Sequence, residues 1–252
     1  MKQVILTFFL TLNILTAIGQ DMTKEELKVV NDFIDCIKNH KTEKLISKIS
    51  FPIVRETPIP PIKNRQEFIS RYKEVFDDNL TKIILNSNPS KDWSPVGWRG
   101  IMLLNGDLWL SYEGKLIAIN YQSKAEAKIK EELINQDKKQ LHESIKDFKS
   151  PIYILQTSKF LIRIDEVKDG IYRYASWKLG SKMSDKPDLL ILKGEFIPDG
   201  SGGNHSYQFK NGKYTYECYI EVMGKEYSTV AGFSIFKEDK LILTQKAKIM
   251  NK

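Results

Sequence analysis

The sequence predicts an α+β protein in two modules: an N-terminal α+β domain at 22–121, a charged connecting helix at 122–150, and a C-terminal antiparallel all-β domain, a small barrel or sheet, at 151–252. Three observations predict this division. Apolar residues recur at helical spacing from Leu27 to about Leu85. From Trp98 the period shortens to that of strands between tight-turn pairs, and from Ile152 onward every ordered segment reads as strand.

The chain opens with Lys2, an apolar run from Val4 to Leu15 and the small-residue exit Ala17-Ile18-Gly19. This pattern predicts a secretory signal peptide over 1–19, too short for a membrane span. The expected location is secreted or periplasmic, and no cysteine just past the exit offers a lipid-anchor site. Thr23 and Glu26 form a capping box, with Met22 and Leu27 as its hydrophobic staple. The helix they start places Leu27, Val30, Phe33, Ile34 and Ile37 on one face. A second short helix is expected near Leu45, then a strand at Phe51-Pro52-Ile53-Val54. Pro58, Pro60 and Pro61 turn the next segment into loop or edge. Asn64 and Glu67 cap a further helix that buries Phe68, Ile69, Tyr72, Val75 and Phe76, and helix continues after a break to about Leu85.

The turn pairs Asn105-Gly106 and Glu113-Gly114 divide 98–121 into a three-stranded meander whose register sorts side chains by face. One face carries Ile101, Leu103, Leu108, Leu110, Ile117 and Ile119, the composition of packed core. The other carries Trp98, Gly100, Met102, Trp109, Ser111, Ala118 and Asn120, a mixture of large aromatic, small and polar groups that suits a binding surface. Trp98, Met102, Trp109, Ser111 and Asn120, together with Tyr72, are the expected ligand-binding residues.

The segments FPIVRETPIPPIKNRQEFISRYKEVF and VGWRGIMLLNGDLWLSYEGKLIAIN, in the order helix, short helix, strand with proline-rich return, helix and meander, resemble the nuclear-transport-factor-2-like cone shared by SnoaL-like and ketosteroid-isomerase-like proteins. The resemblance spans about 22–121. It implies a fold used by enzymes and binding modules alike. Isomerases of this superfamily place a tyrosine and carboxylic acids inside the cone. Tyr72 and Asp107 are the available counterparts, though neither sits in a matching motif, and His40 falls at a helix end.

Ser123 and Glu126 start a charged helix expected to run to about Lys149 along a thin seam of Ile129, Leu133, Leu141, Ile145 and Phe148, interrupted by Asp137. Its lysines and acids read as a solvated face. Pro151 ends it. Eight strands follow at 152–156, 159–167, 171–177, 188–193, 204–210, 213–222, 228–236 and 240–248.

A net charge of +7, with lysines and acids alternating, argues for no nucleic-acid partner. Cys36 and Cys218 lie in different modules, so a bridge between them would have to cross the domain interface, and a scaffold that relied on disulfides would show several closely spaced pairs. Around Asn211-Gly212 the expected hairpin sets His205 opposite Cys218 in an aromatic row. That pair is read as core packing; one histidine and one cysteine are too few for zinc, and no metal or cofactor is expected. The glycine-dense loop 199–204 does not lead from a strand into a helix and reads as a strand connection.

The expected function is noncatalytic binding of a small apolar ligand in the cone, or of an envelope protein or polymer. The alternatives are a cone-pocket isomerase or hydrolase using Tyr72 or Asp107, and an inhibitor or immunity-type protein acting through the β domain. A homodimer through the sheet is a further reading.

Overall fold

The structure, a computed structural model, describes residues 21–200, 202–222 and 230–250. The expected signal peptide lies outside the described residues. Four helices open the described chain: α1 (Lys24–Lys38), α2 (Thr42–Ser47), α3 (Arg65–Val75) and α4 (Asp78–Asn86). The Thr23–Glu26 capping box forms, with Glu26 N–H donating to Thr23 Oγ1 at 3.2 Å and Thr23 N–H to Glu26 Oε2 at 2.7 Å. Asn64 Oδ1 accepts from Glu67 N–H at 3.0 Å to start α3, and Asp77 Oδ1 accepts from Leu80 N–H at 2.8 Å to start α4. The break in the helical pattern is therefore Asp77, a cap.

The strand expected at Phe51–Val54 is a single bridge between Ile53 and Ile62. Pro52, Pro58, Pro60 and Pro61 remove the N–H donors that a longer ladder between these segments needs.

The meander has four strands, β1 (Trp93–Pro95), β2 (Ile101–Leu103), β3 (Leu108–Leu110) and β4 (Leu116–Ile119), in sequential antiparallel order. Met102 faces Trp109 and Trp109 faces Ala118, the expected register. Beyond Trp109 the register slips: Leu110 pairs with Leu116, and Ile117 is the bulged residue. Ser111 N–H bonds Lys115 C=O at 2.7 Å, closing a three-residue reversal. This exchanges one residue between faces. Leu116 enters the core in place of the expected Ile117. The inner face is then Ile101, Leu103, Leu108, Leu110, Leu116 and Ile119, each at most 1% exposed. It packs with Val30, Phe33, Phe68, Val75, Leu80 and Ile84 in one cluster, where each fully buried large side chain contributes about 1.5–3 kcal/mol.

α5 (Lys124–Lys139) is shorter than expected. It ends at Gln140, and His142 N–H bonds Met183 C=O at 3.0 Å before a 3₁₀ turn at Glu143–Ile145. Leu141, Ile145 and Phe148 of the expected seam sit in this non-α return and cluster with Ala175 and Trp177 of the second domain. The helix is held to the first domain by a buried pair: Arg55 Nε donates to Glu126 Oε1 at 2.7 Å, and Glu126 is 0% exposed.

Strands β5 (Ser150–Gln156), β6 (Phe160–Lys168), β7 (Ile171–Lys178), β8 (Leu189–Asp199), β9 (Asn204–Asn211), β10 (Tyr214–Ile220), β11 (Ala231–Lys237) and β12 (Lys240–Ile249) form a closed antiparallel barrel. Each expected strand has its counterpart, and closure comes from β12 meeting β5 at Lys248–Gln156 and Ile249–Leu155. Leu155, Ile162, Ile164, Tyr174, Phe209, Cys218 and Phe233 fill the interior. Gly194 is obligatory in this packing, because any Cβ there would overlap the Phe209 ring. β6 and β7 are buried on both faces, the outer one beneath the 140–149 return.

Candidate functional site

The outer face of the N-terminal sheet carries a groove of about 320 Å³ lined by Trp98, Arg99, Trp109, Ile117, Ala118 and Asn120. Its most prominent wall is Trp98, 68% exposed. This residue sits at the middle of a 3₁₀ turn, Gly97–Arg99, fixed at both ends. Tyr112 Oη–H donates to Gly97 C=O at 2.6 Å, and Val96 N–H donates to Gly100 C=O at 2.8 Å. Gly100 adopts φ +102°, and a Cβ there would overlap the Leu110 carbonyl, so no other residue lets the turn lie this close to β3. The Arg99 guanidinium lies 5.7 Å from the Trp98 ring centroid.

Opposite this plate, Trp109 and Asn120 are fixed through one acceptor. Trp109 Nε1–H donates to Gly106 C=O at 3.1 Å, and Asn120 Nδ2–H donates to the same oxygen at 2.8 Å. Trp109 thereby spends its only polar group on the protein and offers its ring. A second basin of about 410 Å³, lined by residues including Val54, Glu56, Ile59 and Gln122, shares Ile117, Ala118 and Asn120 with the first, so the two run together across β4.

Of the six expected ligand-binding residues, the groove unites Trp98, Trp109 and Asn120. Met102 is half-buried opposite Trp109 but is not on the groove wall. Ser111 is occupied in the reversal, its Oγ accepting from Lys115 N–H at 3.2 Å. Tyr72 lies elsewhere, in a cleft of about 730 Å³ with Ile37, His40, Phe76, Asp77 and Tyr121. There it stacks on Phe76 at 5.1 Å, and burial raises its phenol pKa above the ordinary value. Tyr121 Oη–H donates to Asp77 at 3.1 Å and accepts from Asn79 Nδ2 at 3.0 Å. Asp107 does not line this cleft. Two groove residues escaped the sequence reading. Arg99 was visible between Gly97 and Gly100, whereas Ile117 reaches the outer face only through the bulge.

In the barrel, His205 stands opposite Ile220, and Cys218 opposite Tyr207. The expected His205–Cys218 pairing is thus wrong by two residues, because Asn211 pairs with Tyr214 and the reversal falls on Gly212-Lys213. A two-residue shift preserves the faces. His205 Nδ1–H donates to Gly203 C=O at 2.8 Å, leaving Nε2 to accept from Tyr153 Oη–H at 3.4 Å. Cys218 is 0% exposed, and burial pushes its thiol far above the ordinary range, so it stays a thiol. Cys36 and Cys218 are both buried and unpaired.

Among the described residues, no group of three or more histidine, cysteine or carboxylate side chains is placed to hold a metal ion, and no helix is long and apolar enough to cross a membrane. No protein-family model, no curated protein and no solved structure matches this chain.

Proposed function

We propose that this chain is a noncatalytic binding protein, secreted or periplasmic, that holds an envelope protein or polymer across the outer face of its N-terminal sheet. The observation that carries the reading is Trp98: a large apolar ring, 68% exposed, on a turn whose two ends are hydrogen-bonded in place. A ring held out in water on a stiff mount loses little conformational freedom when a partner covers it, which is what a recognition residue needs. The core side of the sheet is packed against the helices, so the outer groove, and not the cone interior, is the site in this reading. The apolar run at Val4–Leu15 supports the extracytoplasmic address. The order of α1 to α4 followed by a curved meander supports a nuclear-transport-factor-2-like origin for the first domain.

The test is an array of envelope proteins and polymers probed with wild-type protein and with Trp98→Ala. The expected result is at least one component retained by the wild type and weakened about tenfold or more in the variant, as for a central aromatic anchor. Equal retention of every component by both proteins, or chemical conversion of a retained one, overturns the proposal.

A further inference from the structure

Apart from the Trp98 face, we infer a second binding site on the barrel: the free edge of β12, which takes an extended acidic segment of a partner polypeptide as an added strand. The barrel closes on β12 only near its end. Lys248 pairs with Gln156 and Ile249 with Leu155, and Met250 N–H bonds Ile154 C=O at 2.8 Å. From Lys240 to Ala247 the strand pairs with β11 alone, because β5 has ended at Gln156 and turned through 157–159 into β6. The alternation of an antiparallel ladder fixes which backbone groups are left over. Glu221 N–H bonds Val230 C=O at 2.9 Å and Glu238 N–H bonds Lys213 C=O at 2.7 Å, so on β11 Gly232 and Ser234 bond toward β10, whereas Ala231, Phe233 and Ile235 bond toward β12. Their partners Ala247, Gln245 and Leu243 spend their groups on β11. Thr244 and Lys246 turn theirs outward, where no strand or turn among the described residues bonds them. Such a row of N–H and C=O groups is complementary to an extended polypeptide.

The side chains along this edge select the occupant. The inward row is unfinished: Ala231 and Phe233 of β11 are buried, whereas Leu243 and Ala247 of β12 stay part-exposed and Gln245 Oε1 is buried without a partner. Leu241 and Ile242, at the bulge, are half-exposed. The outward row is basic. Lys246 and Lys248 lie on it, Lys240 stands at its start and Lys159 in the adjoining turn, and none of them is in an ion pair among the described residues. β5, β11, β12 and the 157–159 turn contain no carboxylate, and of Glu238 and Asp239 in the β11–β12 turn, Glu238 is held by Lys213 at 3.2 Å. A second copy laid on the same edge would set these lysines against their own kind. A strand that alternates carboxylates outward with aliphatic residues inward pairs the lysines and covers Leu243 and Ala247.

Calorimetric titration of the intact chain with capped peptides tests this: Glu-Val-Glu-Val-Thr-Val-Glu, its counterpart with lysine for glutamate, and the acidic peptide N-methylated at alternate residues on the edge that would face β12. The acidic peptide is expected to bind about tenfold or more tightly than the basic one and to weaken as salt rises. It should slow amide hydrogen exchange at Thr244 and Lys246 about tenfold, with little change at Gln245, which already bonds β11. N-methylation should weaken binding about tenfold, as should Lys246→Glu combined with Lys248→Glu, both exposed, while Trp98→Ala leaves it unchanged. Equal affinity for acidic and basic peptides overturns the inference, as does binding of neither. Undiminished binding of the N-methylated peptide also overturns it, since that is charge attraction without an added strand. Protection of Thr244 and Lys246 that rises with protein concentration, without peptide, gives the edge to a second copy and overturns the acidic partner. Peptide binding lost in Trp98→Ala lies on the N-terminal sheet, which retires this site and supports the first.

Discussion

On the N-terminal sheet the outer face carries Trp98, Trp109 and Ile117 and stays open at Trp98; on the barrel, the outer face of β6 and β7 carries Arg163, Asp165, Arg173 and Trp177 and lies under the 140–149 return. Both faces belong to strands whose other side is core. They differ in what covering them demands. Arg163 donates through Nε to both Asp165 oxygens, at 2.8 and 3.0 Å, and through Nη1 and Nη2 to Asp137 of α5, at 3.1 and 2.5 Å. Arg173 Nη2 bonds Asp165 at 2.6 Å and Ile145 C=O at 2.6 Å, while Nη1 bonds Asp147 C=O at 2.9 Å. Phe148 packs its ring over both guanidiniums, at 4.9 and 5.8 Å. A covered charged face needs nearly every donor matched, and of the donors in this cluster Arg173 Nε is the one buried without a partner; the other such atom among the described residues, Gln245 Oε1, lies on β12. The open aromatic face needs no such matching, which leaves it available to a ligand.

The largest effect expected from this contrast is at Asp165. It is 0% exposed and is the carboxylate shared by two buried guanidiniums, so Asp165→Asn leaves them under-compensated and should lower unfolding free energy by about 3–5 kcal/mol in urea titrations. Asp137 is 28% exposed and water can replace it, so Asp137→Asn should cost no more than about 1 kcal/mol. Losses of about 1 kcal/mol or less at both positions would show that the return is held by its apolar residues, and that the ionic cluster is incidental to it.

A smaller effect separates the barrel interior from the outer groove by pH. Burial raises the Cys218 thiol above its unfolded value of about 8.5, so the folded state keeps a proton that the unfolded chain releases. Stability from this group is fully present below that pH and is lost as pH rises above it, by about 1.4 kcal/mol per pH unit. Urea titrations between about pH 8 and 9.5 should show this decline, and Cys218→Ala should make it shallower, with the remainder owed to Cys36, whose thiol burial also raises. An unchanged slope in the variant would mean that the thiol is not sealed in the barrel.

What was legible in the sequence followed the range of each interaction. The caps at Thr23, Asn64 and Ser123 are settled within three residues, and each starts its helix where the pattern indicates. The register of Met102 with Trp109 follows from a short local reversal. The bulge at Ile117 does not, because it is set by the need of a distant core for Leu116 and Ile119 together. Likewise Asp137, which looked like a flaw in an apolar seam, completes an ion pair with Arg163, 26 residues away, and Glu126, which looked solvated, is buried against Arg55 at a separation of 71. Alternating lysines and acids hide such pairs. At the site, face periodicity brought out Trp98, Trp109 and Asn120, whereas Tyr72 was attached by resemblance and lies in another cleft.

The smallest expected effect is the most discriminating for the open face. Trp98 is a large side chain, and a residue of that size in a packed position costs about 3–5 kcal/mol when cut to alanine. At 68% exposure with its backbone turn held by Tyr112 and Gly100, Trp98 contributes little burial, and Trp98→Ala should change unfolding free energy by no more than about 0.5 kcal/mol. Tyr112→Phe, which removes the 2.6 Å bond to Gly97, should cost about 0.5–1.5 kcal/mol, more than deleting the indole itself. That inversion, in which the mount matters more to stability than the residue it presents, is the thermodynamic mark of a ring kept for a partner. Should Trp98→Ala instead cost 2 kcal/mol or more on this scale, the ring is a packing residue and the outer sheet face is covered in solution much as the barrel's is.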